Sequence, residues 1–330
     1  MTALGMRVSV VGAGDVGTSH VAAWTALGAR VHVHANHGAS ALAQRFGAQP
    51  VAGLDACIET AEIVDVCTPT FTHDRIVLAA AAAGRHVVCE QPLALDVRRA
   101  ARMVDACHAT GVRLFPCHIF RYVPAYEVAH RMVHDGTVGQ LAVIRLTRTS
   151  SAPMSAWVSA AELSGGQVLD QLVHDFDLAR WVAGDVVHVF AKLTGDGSAT
   201  AAHALLRHAN AAMTQVTGAW GGRGTPWRTT FKIRGGSGGL DHDSTGSPTL
   251  RWDDGEVPTD VGGQAPADLW DPHLPASPYR RALADVARSV RDGTKSPVSV
   301  EDALAALALA EAAAVSCRDG GPVEPATAVR

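Results

Sequence analysis

Asp170 and His174 stand four residues apart in the stretch Ser164-Gly165-Gly166-Gln167-Val168-Leu169-Asp170-Gln171-Leu172-Val173-His174. On a continuous helix from about Gly165 or Gly166 to Val182, that spacing puts both side chains on one face. A carboxylate beside an imidazole orients the ring and tunes its proton affinity. The pair could therefore serve as proton-transfer machinery, with His174 as the acid/base and Asp170 as its partner. The same spacing also fits a solvated aspartate next to a packed core histidine. By itself the spacing favours that structural alternative, and only the Gly165-Gly166-x-x-x-Asp170-x-x-x-His174 frame favours the catalytic one. A second set stands near the start of the chain. Gly12, Gly14 and Gly17 follow the apolar run Val8 to Val11 as Gly-x-Gly-x-x-Gly, and Asp15 and Val16 open an amphipathic segment carrying Val21, Trp24 and Leu27. Strand, tight turn and helix in that order make a dinucleotide site: one glycine for the turn, one for close approach of a pyrophosphate, one for helix–strand packing. The free N–H groups of the helix start then face the phosphates. A hydride-transfer site of this kind needs no metal, so no metal is assigned to Asp170, His174 and Asp177.

The elements that must position these residues alternate in the first third of the chain. Val31 to Ala35, Ile63 to Cys67, His86 to Cys89 and Val112 to Phe115 read as strands. Ala39 to Phe46, His73 to Ala83 and a segment capped by Asp96 and running to Ala109 read as helices. Such alternation implies a parallel sheet covered on both faces. Past Cys117 the rhythm changes to a helix from Pro124 to His134, a strand from Leu141 to Thr149, and alternating strand-like segments between Val186 and Leu250. Gly235 to Gly239 reads as a turn or mobile loop, and Asp253 to Pro278 as irregular. The fold class is therefore α/β: a dinucleotide-binding Rossmann domain over residues 1–118, then an α+β domain over residues 119–330 with a large, mostly antiparallel open sheet.

The 330 residues carry a formal charge of -4 with mixed signs, which argues against nucleic-acid or anionic-membrane partners. No apolar run reaches membrane length. Six cysteines without a C-x-x-C pair read as free thiols of a reducing cytoplasm.

The order of further landmarks resembles the Gfo/Idh/MocA family (glucose–fructose oxidoreductase, inositol dehydrogenase, rhizopine catabolism). They are Cys67-Thr68-Pro69-Thr70-x-x-His73, Cys89-Glu90-Gln91-Pro92-Leu93-Ala94, Phe120-Arg121-Tyr122-x-Pro124, and Gly165-Gly166-x-x-x-Asp170-x-x-x-His174-x-x-Asp177. The resemblance implies an NAD(P)-dependent oxidoreductase moving hydride between nicotinamide and a hydroxyl or carbonyl carbon of a sugar-like or cyclitol-like molecule. It implies that Thr68, Pro69, Thr70, His73, Glu90 and Gln91 line the cofactor cleft, and that Arg121, Tyr122 and Trp157 join Asp170 and His174 around the substrate. It also implies a homodimer or homotetramer built through the open sheet.

The chain departs from its relatives at Gln91, where the family pattern is Glu-Lys-Pro. An amide donates or accepts a hydrogen bond but does not titrate. Three readings compete: His174 with Asp170 carries the proton while Gln91 holds the substrate oxygen; a lyase or glycosidase uses the dinucleotide without net redox change; or the protein binds a dinucleotide with impaired catalysis. The first is preferred. After the second strand stand Asn36 and His37 in place of the usual ribose-binding carboxylate, which leaves NAD or NADP open with a slight lean to NADP.

Overall fold

The computed structural model describes residues 5–195, 199–247, 249–253 and 269–326. These form two compact units, one from residues 1–122 with 268–304, the other from 123–267 with 305–330.

In the first unit the elements are β1 (Arg7–Val11), α1 (Asp15–Ala26), β2 (Arg30–His34), α2 (Ala39–Phe46), β3 (Gln49–Pro50), α3 (Leu54–Glu59), β4 (Ile63–Val66), α4 (His73–Ala82), β5 (His86–Glu90), α5 (Val97–Ala109) and β6 (Leu114–Cys117). The strands form one parallel sheet in the order β3-β2-β1-β4-β5-β6. Its centre is buried on both faces, which is why β1 and β4 are mostly valine and isoleucine, interrupted only by the buried Ser9 and Asp65. The chain builds outward from β1 to β3, then returns to place β4 on the other side of β1. That reversal makes a crevice beyond the carboxyl ends of β1 and β4, the place where open α/β sheets receive ligands. The Asp96 cap is present, its carboxylate accepting a hydrogen bond from the Arg99 N–H at 2.8 Å. Neither β3 nor α3 was expected from the sequence: β3 is two exposed residues at the sheet edge, too short to carry a periodicity.

In the second unit follow α6 (Pro124–His134), β7 (Leu141–Ser151), α7 (Ala156–Ser159), α8 (Ala161–Ser164), α9 (Gly166–Asp170), α10 (Val173–Ala183), β8 (Val186–Gly195), β9 (Thr200–His208), β10 (Met213–Gly221), β11 (Arg228–Gly235), β12 (Gly238–Asp243) and β13 (Leu250–Trp252). They make a seven-stranded sheet in the order β13-β12-β11-β7-β10-β9-β8, antiparallel except for the β7–β10 pair. One face buries Ile144, Leu146, Leu206, Val216, Phe231 and Ile233, while Leu193, Leu205 and Met213 stay exposed. The chain continues into α11 (Pro278–Asp292), which lies in the first unit, and α12 (Val300–Asp319).

Two expectations are corrected. Gly238 and Gly239 are not loop but the start of β12, paired with β11. Gly238 has a φ of +150°, and a Cβ there would fall 2.6 Å from the Trp252 ring, so the bare backbone is what lets the strand pass the indole. The helix expected from Gly165 or Gly166 to Val182 is broken: α9 ends at Asp170 and α10 begins at Val173. The Leu172 N–H reaches back five residues to the Gln167 carbonyl, a widened π-type turn. The side chains of Leu172 and Gln171 at this break press on β10, where Gly218 leaves room for them. The expected irregular stretch from Asp253 to Pro278 is described only outside residues 254–268.

Candidate active site

The glycine turn is built by steric necessity at two positions and by something else at the third. Gly12 has a φ of +123°, and a Cβ there would lie 2.4 Å from the Cys67 carbonyl oxygen. A Cβ on Gly17 would lie 2.3 Å from the Gly12 carbonyl oxygen. These two glycines bring β1, α1 and the end of β4 together. Gly14 has an ordinary φ of -78°, and a Cβ there would meet nothing within 4 Å. Neither strain nor the protein's own packing accounts for a glycine here. The helix it opens has no side-chain cap, and Gly14, Asp15 and Val16 are exposed. Uncapped N–H groups around an open glycine cradle fit the pyrophosphate of a dinucleotide.

Beside this turn runs the loop after β2. Asn36 and His37 are exposed, and a Cβ on Gly38 would touch the Ala13 methyl at 3.7 Å. At the end of β4, Thr68 and Pro69 are partly exposed, whereas Thr70 and His73 are buried at 3% and 1% exposure. The His73 ring nitrogens lie 2.8 Å from the Thr68 carbonyl and 3.1 Å from the Pro92 carbonyl. Burial pulls its pKa below the usual range, against the pull of these carbonyls. His73 thus stitches the β4 turn to the loop after β5, and Thr68 and Pro69 are the members of that segment left facing outward.

The loop after β5 holds Gln91 by its main-chain N–H and by its side-chain oxygen. The Gln91 N–H donates to Glu90 Oε2 at 3.1 Å, and Gln91 Oε1 accepts from the Leu93 N–H at 3.1 Å. Gln91 Nε2 is buried and has no hydrogen-bond partner. A fixed, unsatisfied donor at the carboxyl edge of the sheet is costly unless a ligand oxygen completes it.

A histidine that the motifs did not single out lies directly behind this edge. His20 of α1 is fully buried, and its Nδ1–H donates to Asp65 Oδ2 at 2.8 Å. The Trp24 indole N–H donates to the same oxygen at 2.7 Å. His20 Nε2 lies 2.8 Å from Glu90 Oε1, close but out of line for a hydrogen bond. Burial opposes a charge on the ring, yet the Asp65 carboxylate and its neighbours outweigh it and hold the pKa well above the usual value. Burial likewise opposes the Glu90 charge, and His20 overcomes it, drawing that carboxyl below its usual pKa. Sequence spacing carries a weak sign of this: an apolar helix face with a histidine, and a lone aspartate inside the valine run of β4.

Arg121 and Tyr122, expected at the substrate, are buried at 6% and 7% exposure. Arg121 Nη1 sits 3.0 Å from Asp302 Oδ2. The Tyr122 hydroxyl is pushed to a raised pKa by burial and by the Asp285 charge, and the Arg281 guanidinium stands 5.9 Å from its ring.

In the second unit, Trp157 on α7 is half-buried. Asp170 closes α9 and His174 stands in the first turn of α10, both half-buried, so the pair spans the broken turn rather than one regular face. Burial pushes the Asp170 carboxyl up to about 6. Asp175 and Asp177 are buried at 2% exposure. Asp175 receives two bonds from Arg148 of β7, Nε to Oδ2 at 2.8 Å and Nη2 to Oδ1 at 3.1 Å. That bidentate clamp fixes the first turn of α10 against the sheet, and with it the backbone that carries His174. The possible ligand groupings among the described residues lie elsewhere, at His20–Asp65–Cys67 and His20–Glu90–Cys117.

Comparison with known proteins bears on both units. Residues 6–118 match the sequence model of an oxidoreductase family with an NAD-binding Rossmann fold, and residues 126–241 match the GFO/IDH/MocA C-terminal domain. The chain is 37% identical to myo-inositol 2-dehydrogenase of Thermotoga maritima over 138 residues, which is 42% of this chain and 40% of that protein. It is 28% identical to D-apiose dehydrogenase of Paraburkholderia graminis over 335 residues, covering 96% of this chain and 88% of that one. Among solved structures, GenD2 from gentamicin A biosynthesis in complex with NAD superposes with a TM-score of 0.82 at 27% identity, over 97% of this chain and 96% of that chain.

Proposed function

Because the chain belongs to the Gfo/Idh/MocA oxidoreductase family, we propose that it is an NAD(P)-dependent oxidoreductase acting on a hydroxyl or carbonyl carbon of a sugar-like or cyclitol-like substrate. The observation that carries this reading is the open cradle at Gly14 on an uncapped helix, with a buried, partnerless amide donor at Gln91 on the same sheet edge. The names of the relatives, dehydrogenases of inositol and apiose, support the substrate class.

Gly14 and the first N–H groups of α1 hold the pyrophosphate, and Thr68, Pro69, Glu90 and Gln91 border the remainder of the cofactor. A bound nicotinamide supplies the hydride acceptor or donor. Gln91 Nε2 donates to the reacting oxygen and fixes its position, but moves no proton. His174 exchanges the proton on that oxygen. Asp170, its carboxyl raised to about 6 by burial and so ionised at neutral pH, orients the imidazole and balances its charge. Arg121 and Tyr122 support this site from within the fold, and Trp157 borders the substrate. Residues 1–118 take the cofactor, and residues 119–330 take the substrate and carry the homodimer or homotetramer contact on the exposed sheet face. The free thiols suit a cytoplasmic protein. No helix of the described residues is long and apolar enough to cross a membrane. Asn36 and His37 place no carboxylate against a 2′-phosphate, which supports the lean to NADP, whereas GenD2 was solved with NAD.

The test is titration with NAD and NADP, followed by spectroscopic assay of reduced nicotinamide against inositols, pentoses and anhydrosugars. Net reduction that His174→Ala abolishes supports the proposal. Product formed without net cofactor change selects the lyase or glycosidase reading. A large gain of dehydrogenase activity in Gln91→Lys selects the impaired homologue; a loss shows that the amide is fitted to this reaction.

A further inference from the structure

His20 is an expensive residue to keep. It lies at 0% exposure inside the parallel sheet unit, on the helix whose other end opens the glycine turn. Its neighbours come from several elements packed against it: Asp65 from β4 and Cys67 just after it, Glu90 from the end of β5, Cys117 from β6, and the Tyr279 ring from α11 at 5.5 Å. Of these, Asp65 and Glu90 are acidic, while Cys67, Cys117 and Tyr279 keep their protons because burial raises all three. An imidazole with a carboxylate oxygen 2.8 Å from each ring nitrogen faces both favourably only as the imidazolium, hydrogen-bonded to Asp65 and ion-paired, off the hydrogen-bond line, with Glu90. The cluster then carries two negative charges and one positive. Asp65 is sealed at 0% exposure, while the Glu90 side chain keeps 13%, at the carboxyl edge beside Gln91.

We propose that His20 is a positioning residue: as a permanent imidazolium bridging Asp65 and Glu90, it locks the Glu90–Gln91 segment to the dinucleotide helix and leaves one net negative charge at the nicotinamide side of the cleft, favouring the oxidised, positively charged ring. This rests on the dinucleotide reading above. It assigns a task to Glu90 that a neutral residue cannot perform, and it accounts for a charged triad where an apolar core would pack at less desolvation cost. The absence of a lysine at Gln91 makes the effect larger, since no cation on that loop cancels the charge.

The test has two arms. Nitrogen-detected NMR of the His20 ring in the cofactor-free protein is expected to show both ring nitrogens still protonated at a pH where ordinary histidines are neutral. A neutral tautomer at that pH overturns the proposal. Separately, dissociation constants for oxidised and reduced cofactor are measured for wild type, Glu90→Gln and Asp65→Asn. Glu90→Gln is expected to shift the ratio of the two constants about tenfold toward the reduced form, as loss of one nearby charge requires. Asp65→Asn is expected to bring the His20 titration into the neutral range, giving that ratio a pH dependence that wild type lacks. A ratio unchanged in Glu90→Gln overturns the proposal even if Asp65→Asn fails to fold. Failure of wild type to bind either cofactor overturns the functional reading instead, and the NMR arm still decides the state of His20.

Discussion

Replacing Asp170 by asparagine is expected to make the protein more stable and less active. The Asp170 carboxyl is lifted from an ordinary value of 3.8 to about 6 by burial. A raised folded-state pKa means that the native protein binds the proton more tightly than the unfolded chain, so ionisation works against folding. Below pH 4 both states hold the proton and no penalty exists. Between pH 4 and 6 the unfolded chain has lost its proton while the native state resists, and stability falls as pH rises. Above pH 6 the full penalty of about 2–3 kcal/mol remains, at about 1.4 kcal/mol per pKa unit. Asparagine is close to isosteric and never ionises. Urea unfolding should therefore show Asp170→Asn gaining about 2–3 kcal/mol at pH 7.5 but only about 1 kcal/mol at pH 4.5. In turnover the same change should remove the acid-side fall in kcat/KM near pH 6 and lower its plateau by about 10²-fold or more. A stability gain equal at both pH values, or a loss at pH 7.5, would refute the reasoning, because either shows that the carboxylate is not the strained species.

The glycine turn separates steric from ligand roles. Gly14→Ala should keep the unfolding midpoint of wild type yet weaken dinucleotide binding about tenfold, the loss of one or two charge-assisted bonds, measured by fluorescence titration. Gly17→Ala should instead destabilise the whole first unit, since its Cβ meets the Gly12 carbonyl, and circular dichroism melts would show it. Arg121→Ala leaves Asp302 without its guanidinium and should cost about 2–3 kcal/mol near neutral pH. Although burial opposes its charge, Arg121 holds the Asp302 carboxyl down at about 2, so the stability it contributes is present above pH 4 and lost as pH falls toward 2; the variant should show a flatter acid limb in urea unfolding. Asp175→Asn strands the buried Arg148 charge, and a drop of about 3–5 kcal/mol in the same assay, with loss of activity, would match its place under His174.

Much of this was legible because it is local. Gly-x-Gly-x-x-Gly after a valine run specifies a strand, a turn and a helix within eleven residues, and Asp96 caps its own helix three residues on. The alternation of α2, α4, α5 and their strands follows from periodicity alone, and the motif order specified the family. What the sequence could not display are contacts that pair distant residues. His20, Asp65 and Glu90 are separated by tens of positions and meet because parallel β4 and β5 run side by side under α1. The motif around Arg121 and Tyr122 does not show that Asp302 and Asp285, far along the chain, pair with them. The break between Asp170 and His174 is decided by Gln171 and Leu172 pressing on Gly218 of another strand, against a sequence that reads as one helix. Hydrogen bonding along the chain writes itself into neighbouring residues, whereas burial and charge pairing depend on which surfaces the folded chain brings together.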